Sequence, residues 1–228
     1  MISVCMATFN GEKYIECQLR SILQQLNEED EVVVSDDGSN DRTIDVIKSI
    51  NDSRIRIINN ERHGVAHNFE TAINNAKGDY IFLSDQDDEW MPNKVECCLN
   101  ALKTYDCIVT DCYICDGDGN IINESFFNLN GTKGGRLYNL IVKNGYIGCC
   151  MAFKKEILSK ILPFPNDVPL HDLWIGNVSA FYFSLGWVHE KLIKYRRHGS
   201  NASCAAEKSD ASLMKKIGYR WHIIKNLI

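Results

Sequence analysis

Three carboxylates crowd into four positions at residues 85–88, where Asp85, Asp87 and Asp88 flank Gln86. Like charges about 4 Å apart repel by roughly 4 kcal/mol at a near-surface effective dielectric. A divalent cation relieves that repulsion. Oxygen ligands suit Mg²⁺ or Mn²⁺, ions often shared with substrate phosphates. The bland alternative is a solvated acidic turn before a helix, where the helix dipole favours Asp. A second pair, Asp36–Asp37, precedes Gly38–Ser39. Any turn leading into a helix uses these residue types. As chemistry, one carboxylate would accept from the N3–H of a pyrimidine while the turn backbone holds the ribose.

Asp172 follows His171 and precedes Leu173–Trp174–Ile175. It reads as a helix cap or as a general base. Tyr195–Arg196–Arg197–His198 reads as a basic surface turn, or as cationic groups reaching a leaving diphosphate. Neither G-x-G-x-x-G nor G-x-x-x-x-G-K-[ST] occurs. A bound nucleotide would therefore need its diphosphate neutralised another way, and a metal on the acidic turn is the natural means. Cys112 and Cys115 have a zinc-like spacing, but no second Cys or His pair follows at the usual distance, so half-buried strand residues are the plainer reading.

The elements that must position these groups alternate along the first half of the chain. Residues 2–7 form an apolar run ending at Asn10–Gly11, and Tyr14, Ile15, Leu19, Ile22, Leu23 and Leu26 then recur at helical spacing. Residues 31–35 carry Val32–Val33–Val34, a buried-strand pattern, before a helix marked by Ile44, Ile47 and Ile50. A strand over 54–58 precedes a helix with Phe69, Ala72, Ile73 and Ala76. A strand over 79–83 precedes a helix opened by Pro92. This alternation predicts a parallel, doubly wound sheet, in which ligands bind beyond the carboxyl ends of the strands. Three polar segments sit at such ends: 8–10, 35–39 and 85–88. Later, residues 107–115, 148–153 and 191–195 read as strands, with a hairpin turn at Gly117–Asn120. Residues 123–135 read as a mobile polar loop near the site.

The chain has 228 residues, enough for one domain with a sizeable core. Its net charge of −5 argues against a nucleic-acid binder. The first residues do not read as a signal peptide. The longest uncharged stretch, 173–188, is too short and polar for a bilayer span and is expected as a buried helix and a turn. Ten cysteines include two adjacent pairs, Cys97–Cys98 and Cys149–Cys150. Adjacent strand residues face opposite ways, so a reduced cytosolic protein fits better than a disulfide scaffold. Residues 213–228 hold Lys215, Lys216, Arg220 and Lys225 with no acidic residue, and Ile217, Trp221, Ile224 and Ile228 recur at helical spacing. A basic amphipathic helix there would lie on an anionic membrane surface, or pack on the core or a second subunit.

Taken together, these motifs resemble the family 2 glycosyltransferases, whose fold is called GT-A, and in particular those that build bacterial surface polysaccharides such as O-antigen and capsule. The matching pieces are residues 7–11, 35–43, 64–68, 83–90, 171–174 and 195–201. They occur in the family's order and span nearly the whole chain.

The resemblance implies an α/β fold with a Rossmann-like, mostly parallel central sheet flanked by helices. It implies one domain over 1–205, with a nucleotide-sugar-binding half (1–105) and an acceptor-binding half (106–205), followed by the helix of 206–228. Thr8, Phe9, Asn10 and Glu12 would line the nucleotide pocket, and Asp36 and Asp37 would contact the base. Asn68 would hold the nucleotide near the diphosphate, with Asp85 and Gln86 nearby. Asp87 and Asp88 would ligate Mn²⁺ or Mg²⁺, His198 would approach the diphosphate or metal, and Asp172 would be the catalytic base.

The implied reaction is inverting transfer of one sugar from a nucleotide-diphosphate-sugar to a glycan acceptor, commonly lipid-linked at the cytoplasmic face of the membrane. Uridine-diphosphate hexoses are favoured as donors and deoxythymidine-diphosphate rhamnose comes next. His171 stands where the family often has Glu, which leaves the base in place but alters acceptor contacts. The Gln-x-x-Arg-Trp motif of processive synthases is absent. Two rival readings are a nucleotidyltransferase, which would carry a Gly-rich basic loop after the first strand, and a non-catalytic sugar- or nucleotide-binding module.

Overall fold

The computed structural model describes residues 1–166, 168, 170–199 and 213–227; Ser200, Asn201 and Ile228 of the motifs above, and residues 206–212, lie outside them. Strands β1 (Ile2–Thr8), β2 (Glu31–Asp36), β3 (Ile55–Asn59) and β4 (Tyr80–Asp85) alternate with helices α1 (Ile15–Leu23), α2 (Thr43–Ile50) and α3 (Val65–Asn74). The runs Val4–Cys5–Met6, Val32–Val33–Val34 and Ile81–Phe82–Leu83 are fully buried, as a parallel sheet covered on both faces requires. The strands lie in the order β3-β2-β1-β4, all parallel. Thr8 is paired with Asp36, and Ala7 with Asp85. The register therefore brings the three polar strand ends to one edge, as the alternation predicts.

The second half extends the same sheet. It comprises β5 (Glu89–Trp90), α4 (Lys94–Leu102), β6 (Cys107–Cys115), β7 (Ile121–Asn123), α5 (Phe126–Asn130), β8 (Met151–Lys154), α6 (Leu158–Ile161), α7 (His171–Tyr182), β9 (Leu185–Arg196) and α8 (Leu213–Leu227). The sheet continues from β4 through β8, β6 and β9 to β5, with β7 paired on β6. Here parallel and antiparallel pairings mix: β8 is antiparallel to β4 and β6, β9 is parallel to β6, and β5 is antiparallel to β9. Two strands differ in extent from their sequence patterns. β8 starts three residues late because residues 148–150 make a tight 3₁₀ turn. β9 is longer than residues 191–195 because its first half is only partly buried and shows no clean alternation.

Residues 123–135 also depart from expectation, since they contain α5. Buried Asp111 on β6 accepts from the Ser125 hydroxyl at 2.5 Å and from Phe127 N at 2.9 Å. Ser125 in turn caps the helix by accepting from Asn128 N at 3.1 Å. Phe126 and Phe127 are buried, the latter edge-on to Trp187. The polar composition of the segment hides these two apolar anchors. At the other end of the chain, α8 buries Ile223 and Leu227, and the Tyr182 hydroxyl at the end of α7 donates to Leu227 O. The nine described cysteines carry free thiols, with Cys112 and Cys115 buried on β6. Among the described residues no helix is long and apolar enough to cross a membrane.

Replacing Asp111 with Ala leaves the Ser125 hydroxyl and the Phe127 N–H without their acceptor. Asp111→Ala is expected to lower the unfolding free energy by about 1–3 kcal/mol in urea and to speed amide exchange at Phe127 and Asn128. Unchanged exchange there would mean that the aromatic anchors alone hold α5.

Candidate active site

The acidic turn leaves β4 at Asp85 and is gripped from the far end of the chain. Antiparallel pairing of β5 with β9 sets Glu89 opposite Lys194 and Trp90 opposite Ile193, which delivers Arg196 to the turn. Arg196 N donates to Asp88 Oδ1 at 2.9 Å, and its Nε donates to the backbone oxygen of Asp87 at 2.9 Å. Buried Arg196 thus braces the acidic loop, rather than reaching outward for a diphosphate as its sequence context suggests. His198 Nε2 lies 2.9 Å from Asp87 Oδ2. Tyr14 stacks on the His198 ring at 4.7 Å, and the Arg196 guanidinium lies over the Tyr14 ring at 5.1 Å.

Possible ligand atoms of Asp85, Asp88 and Cys149 all lie within 4.8 Å of one another. Asp88 is fully buried, and its Oδ2 has no hydrogen-bond partner. Burial pushes the Asp85 carboxyl up to about 8, reinforced by the charges of Asp87 and Asp172. Asp88 is raised well above the usual carboxylate range by burial, then by Asp87 and Asp85. Asp87 is raised by burial against the opposing charge of His198. All three carboxylates therefore hold their protons more tightly than a free aspartate. A half-buried carboxylate beside a buried one with an orphaned oxygen fits a hard divalent ion. The Cys149 thiol is held protonated by a hydrogen bond with Cys150, by burial and by Asp88, so it borders the oxygen site as a neutral group. Asp87, a metal ligand by resemblance, faces His198, whereas Asp85 joins Asp88. Cys149 was not legible as a neighbour, because nothing in an adjacent Cys pair says that the turn before β8 will face the end of β4.

The nucleotide-side residues knit the first two strand ends together. Asn10, in the left-handed region at φ 50°, accepts from Asn40 N at 2.9 Å through its Oδ1, and its N donates to Ser39 Oγ at 2.9 Å. Glu12 accepts from Arg42 N at 2.9 Å. Asp36 turns wholly inward, accepting from the Thr8 and Ser39 hydroxyls and from the backbone N of Gly38 and Ser39. Gln86 exchanges two 2.9 Å hydrogen bonds with the backbone of Phe9. A Cβ on Gly11 would lie 2.2 Å from the Gln86 oxygen, so a side chain there would push the Gln86 amide off that pairing.

Three further groups complete this region. Asp37 accepts from Asn60 Nδ2 at 2.8 Å and from Gly64 N at 2.9 Å, beside the exposed His63. Asn68 donates to Thr8 O at 3.0 Å while its buried Oδ1 lacks a partner. The Phe9 ring is exposed at the rim.

Asp172 lies in the first turn of α7, but it is no cap: the capping position is Leu170, with no side-chain hydrogen bond. Burial lifts Asp172 to about 6, partly opposed by its hydrogen bond from Leu173 N. His171 beside it stacks on Phe69 at 3.9 Å, and burial lowers it to about 3, keeping the ring neutral.

Comparison with known proteins gives a consistent picture. The family model described as glycosyl transferase family 2 matches residues 3–162. The chain is 29% identical to the dTDP-rhamnosyl transferase RfbG of Shigella flexneri, over 96% of this chain and 82% of that protein. It is also 29% identical to WfgD of Escherichia coli, a UDP-Glc:alpha-D-GlcNAc-diphosphoundecaprenol beta-1,3-glucosyltransferase, over 100% of this chain and 87% of that one. Among solved structures, S. aureus TarS with UDP superposes at a TM-score of 0.69 and 18% identity, covering 86% of this chain and 60% of that chain. Glucosyl-3-phosphoglycerate synthase of Mycobacterium tuberculosis, solved with Mn²⁺ and UDP-glucose, superposes at 0.62 and 18% identity, covering 100% and 78%. These likenesses show the GT-A fold.

The raised pKa of Asp85 has a sign. A group that holds its proton more tightly when folded contributes stability below its unfolded value, and that contribution is lost as pH rises towards about 8. A bound cation replaces the proton. Mn²⁺ is therefore expected to raise the melting temperature more near pH 8 than near pH 5. Equal shifts at both pH values would place the ion elsewhere.

Proposed function

The chain belongs to glycosyl transferase family 2, and on that footing we propose that it moves a single sugar from a nucleotide-diphosphate-sugar to a hydroxyl of a glycan acceptor, with inversion and with Mn²⁺ or Mg²⁺ at the acidic turn. The observation that carries this reading is the contrast between two sets of carboxylates within charge range of each other. Asp172, near 6, is ionised at neutral pH, whereas Asp85, near 8, holds a proton until a cation takes its place. Carboxylates whose environments separate their titrations can divide the roles of base and ion ligand.

In this reading residues 1–105 bind the donor and 106–205 the acceptor. The nucleoside lies against Thr8 and Phe9, with Asp37 taking the base N–H and Asp36, Asn10 and Glu12 fixing the loop shape around it. Asn68 offers its unpartnered oxygen on the donor side. Gln86 acts through the Phe9 backbone. Asp88 holds the ion with Asp87 and Asp85 around it, and His198 steadies Asp87. When bound, the ion supplies positive charge against the leaving diphosphate. Asp172 removes the proton from the acceptor hydroxyl as its oxygen attacks the anomeric carbon, and the nucleotide diphosphate departs from the opposite face.

RfbG and WfgD support surface-polysaccharide synthesis as the setting, with a UDP-hexose favoured as donor and dTDP-rhamnose next. The diphosphoundecaprenol in WfgD's name supports a lipid-linked acceptor. Such an acceptor would bring the protein to the cytoplasmic face of the membrane as a peripheral protein, with residues 213–228 as the contact or as a dimer surface.

Calorimetry with UDP and with dTDP, each with and without Mn²⁺, is expected to give ion-dependent binding of one of them, lost in Asp87→Ala. Asp172→Asn is expected to lower turnover by about 10²–10⁴-fold with donor affinity kept. The wild-type kcat is expected to rise with pH through about 6. Full activity in both variants would overturn the assignment.

A further inference from the structure

Six large apolar side chains stand open on two neighbouring segments. Leu137, Ile141 and Val142 lie on the turn at 137–142, and Met214, Ile217 and Trp221 lie on α8. Trp221 is 64% exposed and Ile141 57%. Met214, Ile217 and Trp221 are spaced by three and four residues and so share one helix face, whereas Ile223 and Leu227 are buried against the protein. Arg220 joins the two segments: its Nε donates to Leu140 O at 3.1 Å and its Nη2 to Val142 O at 2.9 Å. The exposed residues thus belong to one composite face, and apolar groupings of this kind mark interaction surfaces.

The charge of that face is as one-sided as its polarity. Residues 131–145 carry Lys133, Arg136 and Lys143 with no Asp or Glu, and residues 213–227 carry Lys215, Lys216, Arg220 and Lys225 with none either. The chain as a whole has a net charge of −5. A second copy docking through the same patch would set segments of like charge against each other, which disfavours self-association. An anionic lipid surface complements both the charge and the apolar stripe, and a Trp at its centre suits the headgroup boundary.

We propose that residues 137–142 and helix α8 together seat on an anionic lipid bilayer. The proposal rests on the lipid-linked acceptor of the reading above for its purpose. The face is tied to that side of the site. The chain leaving Val142 reaches Gly148 and Cys149, beside Asp85 and Asp88, while α7 begins at His171–Asp172 and ends at Tyr182, bonded to Leu227.

The test is flotation of the full chain with phosphatidylcholine vesicles, with and without phosphatidylglycerol, at low and high salt. Binding is expected only with phosphatidylglycerol, weakening as salt rises. Lys133→Gln and Lys225→Gln are each expected to lower the partition roughly fivefold. Ile141→Asp combined with Trp221→Asp should abolish flotation while calorimetric nucleotide binding stays at the wild-type value. No flotation of folded wild-type protein with anionic vesicles would overturn the proposal. So would light scattering showing a dimer that the double variant dissociates, because the face would then belong to a second copy. A failure of the glycosyl-transfer reading shows separately, as absent nucleotide binding in solution without vesicles.

Discussion

Carboxylates packed beside one another out of water need either protons or a cation, and the arrangement around the acidic turn answers to that need. Asp85, Asp87 and Asp88 cluster at one sheet edge with Asp172 in charge range, and Asp88 is only partly compensated. Arg196 gives its backbone N–H to Asp88 and its guanidinium to the Asp87 carbonyl, and His198 faces Asp87. Asp88 keeps one oxygen unmatched. The shortfall suits the turn to a cation.

The same economy of residue types separates scaffold from recognition surface on the nucleotide side. Asp36 and Asp37 are neighbours of identical chemistry, but Asp36 closes four hydrogen bonds inside its own turn and against Thr8, while Asp37 reaches across to Asn60, His63 and Gly64 N. Gln86 likewise gives both ends of its amide to Phe9. Weaker donor binding after a change at Asp36 or Gln86 would therefore report loop shape before it reported recognition.

Much of this was legible in the amino-acid sequence. The alternation of Val-rich runs with helical spacing identified the parallel half, and the rule that ligands gather at strand carboxyl ends brought residues 8–10, 36–37 and 85–88 to one rim. What sequence could not supply was pairing over long range. Nothing local in Arg196 says that β9 will run beside β5 and turn its guanidinium onto the acidic loop, and nothing in Cys149 says that it will border Asp85. Asp172 looked like a cap because Asp commonly is one; only the placement of Leu170 at the capping position frees it. The segment at 123–135 misled for another reason. Its order comes from Asp111, a residue on a different element.

The bond from Arg196 N to Asp88 closes a loop of 108 residues, and this sets an order of assembly. A ribosome adding about 5–20 residues per second delivers Arg196 roughly 5–20 s after Asp88. During that interval the nascent chain can complete β1 to β4, whose pairings lie within residues 2–85, with its acidic turn still hydrated and ionised. When β9 arrives, Arg196 and His198 meet Asp88 and Asp87 as these carboxylates leave water. Burial there tightens the hold of Asp85 and Asp88 on protons, so the last stage of assembly is coupled to proton uptake.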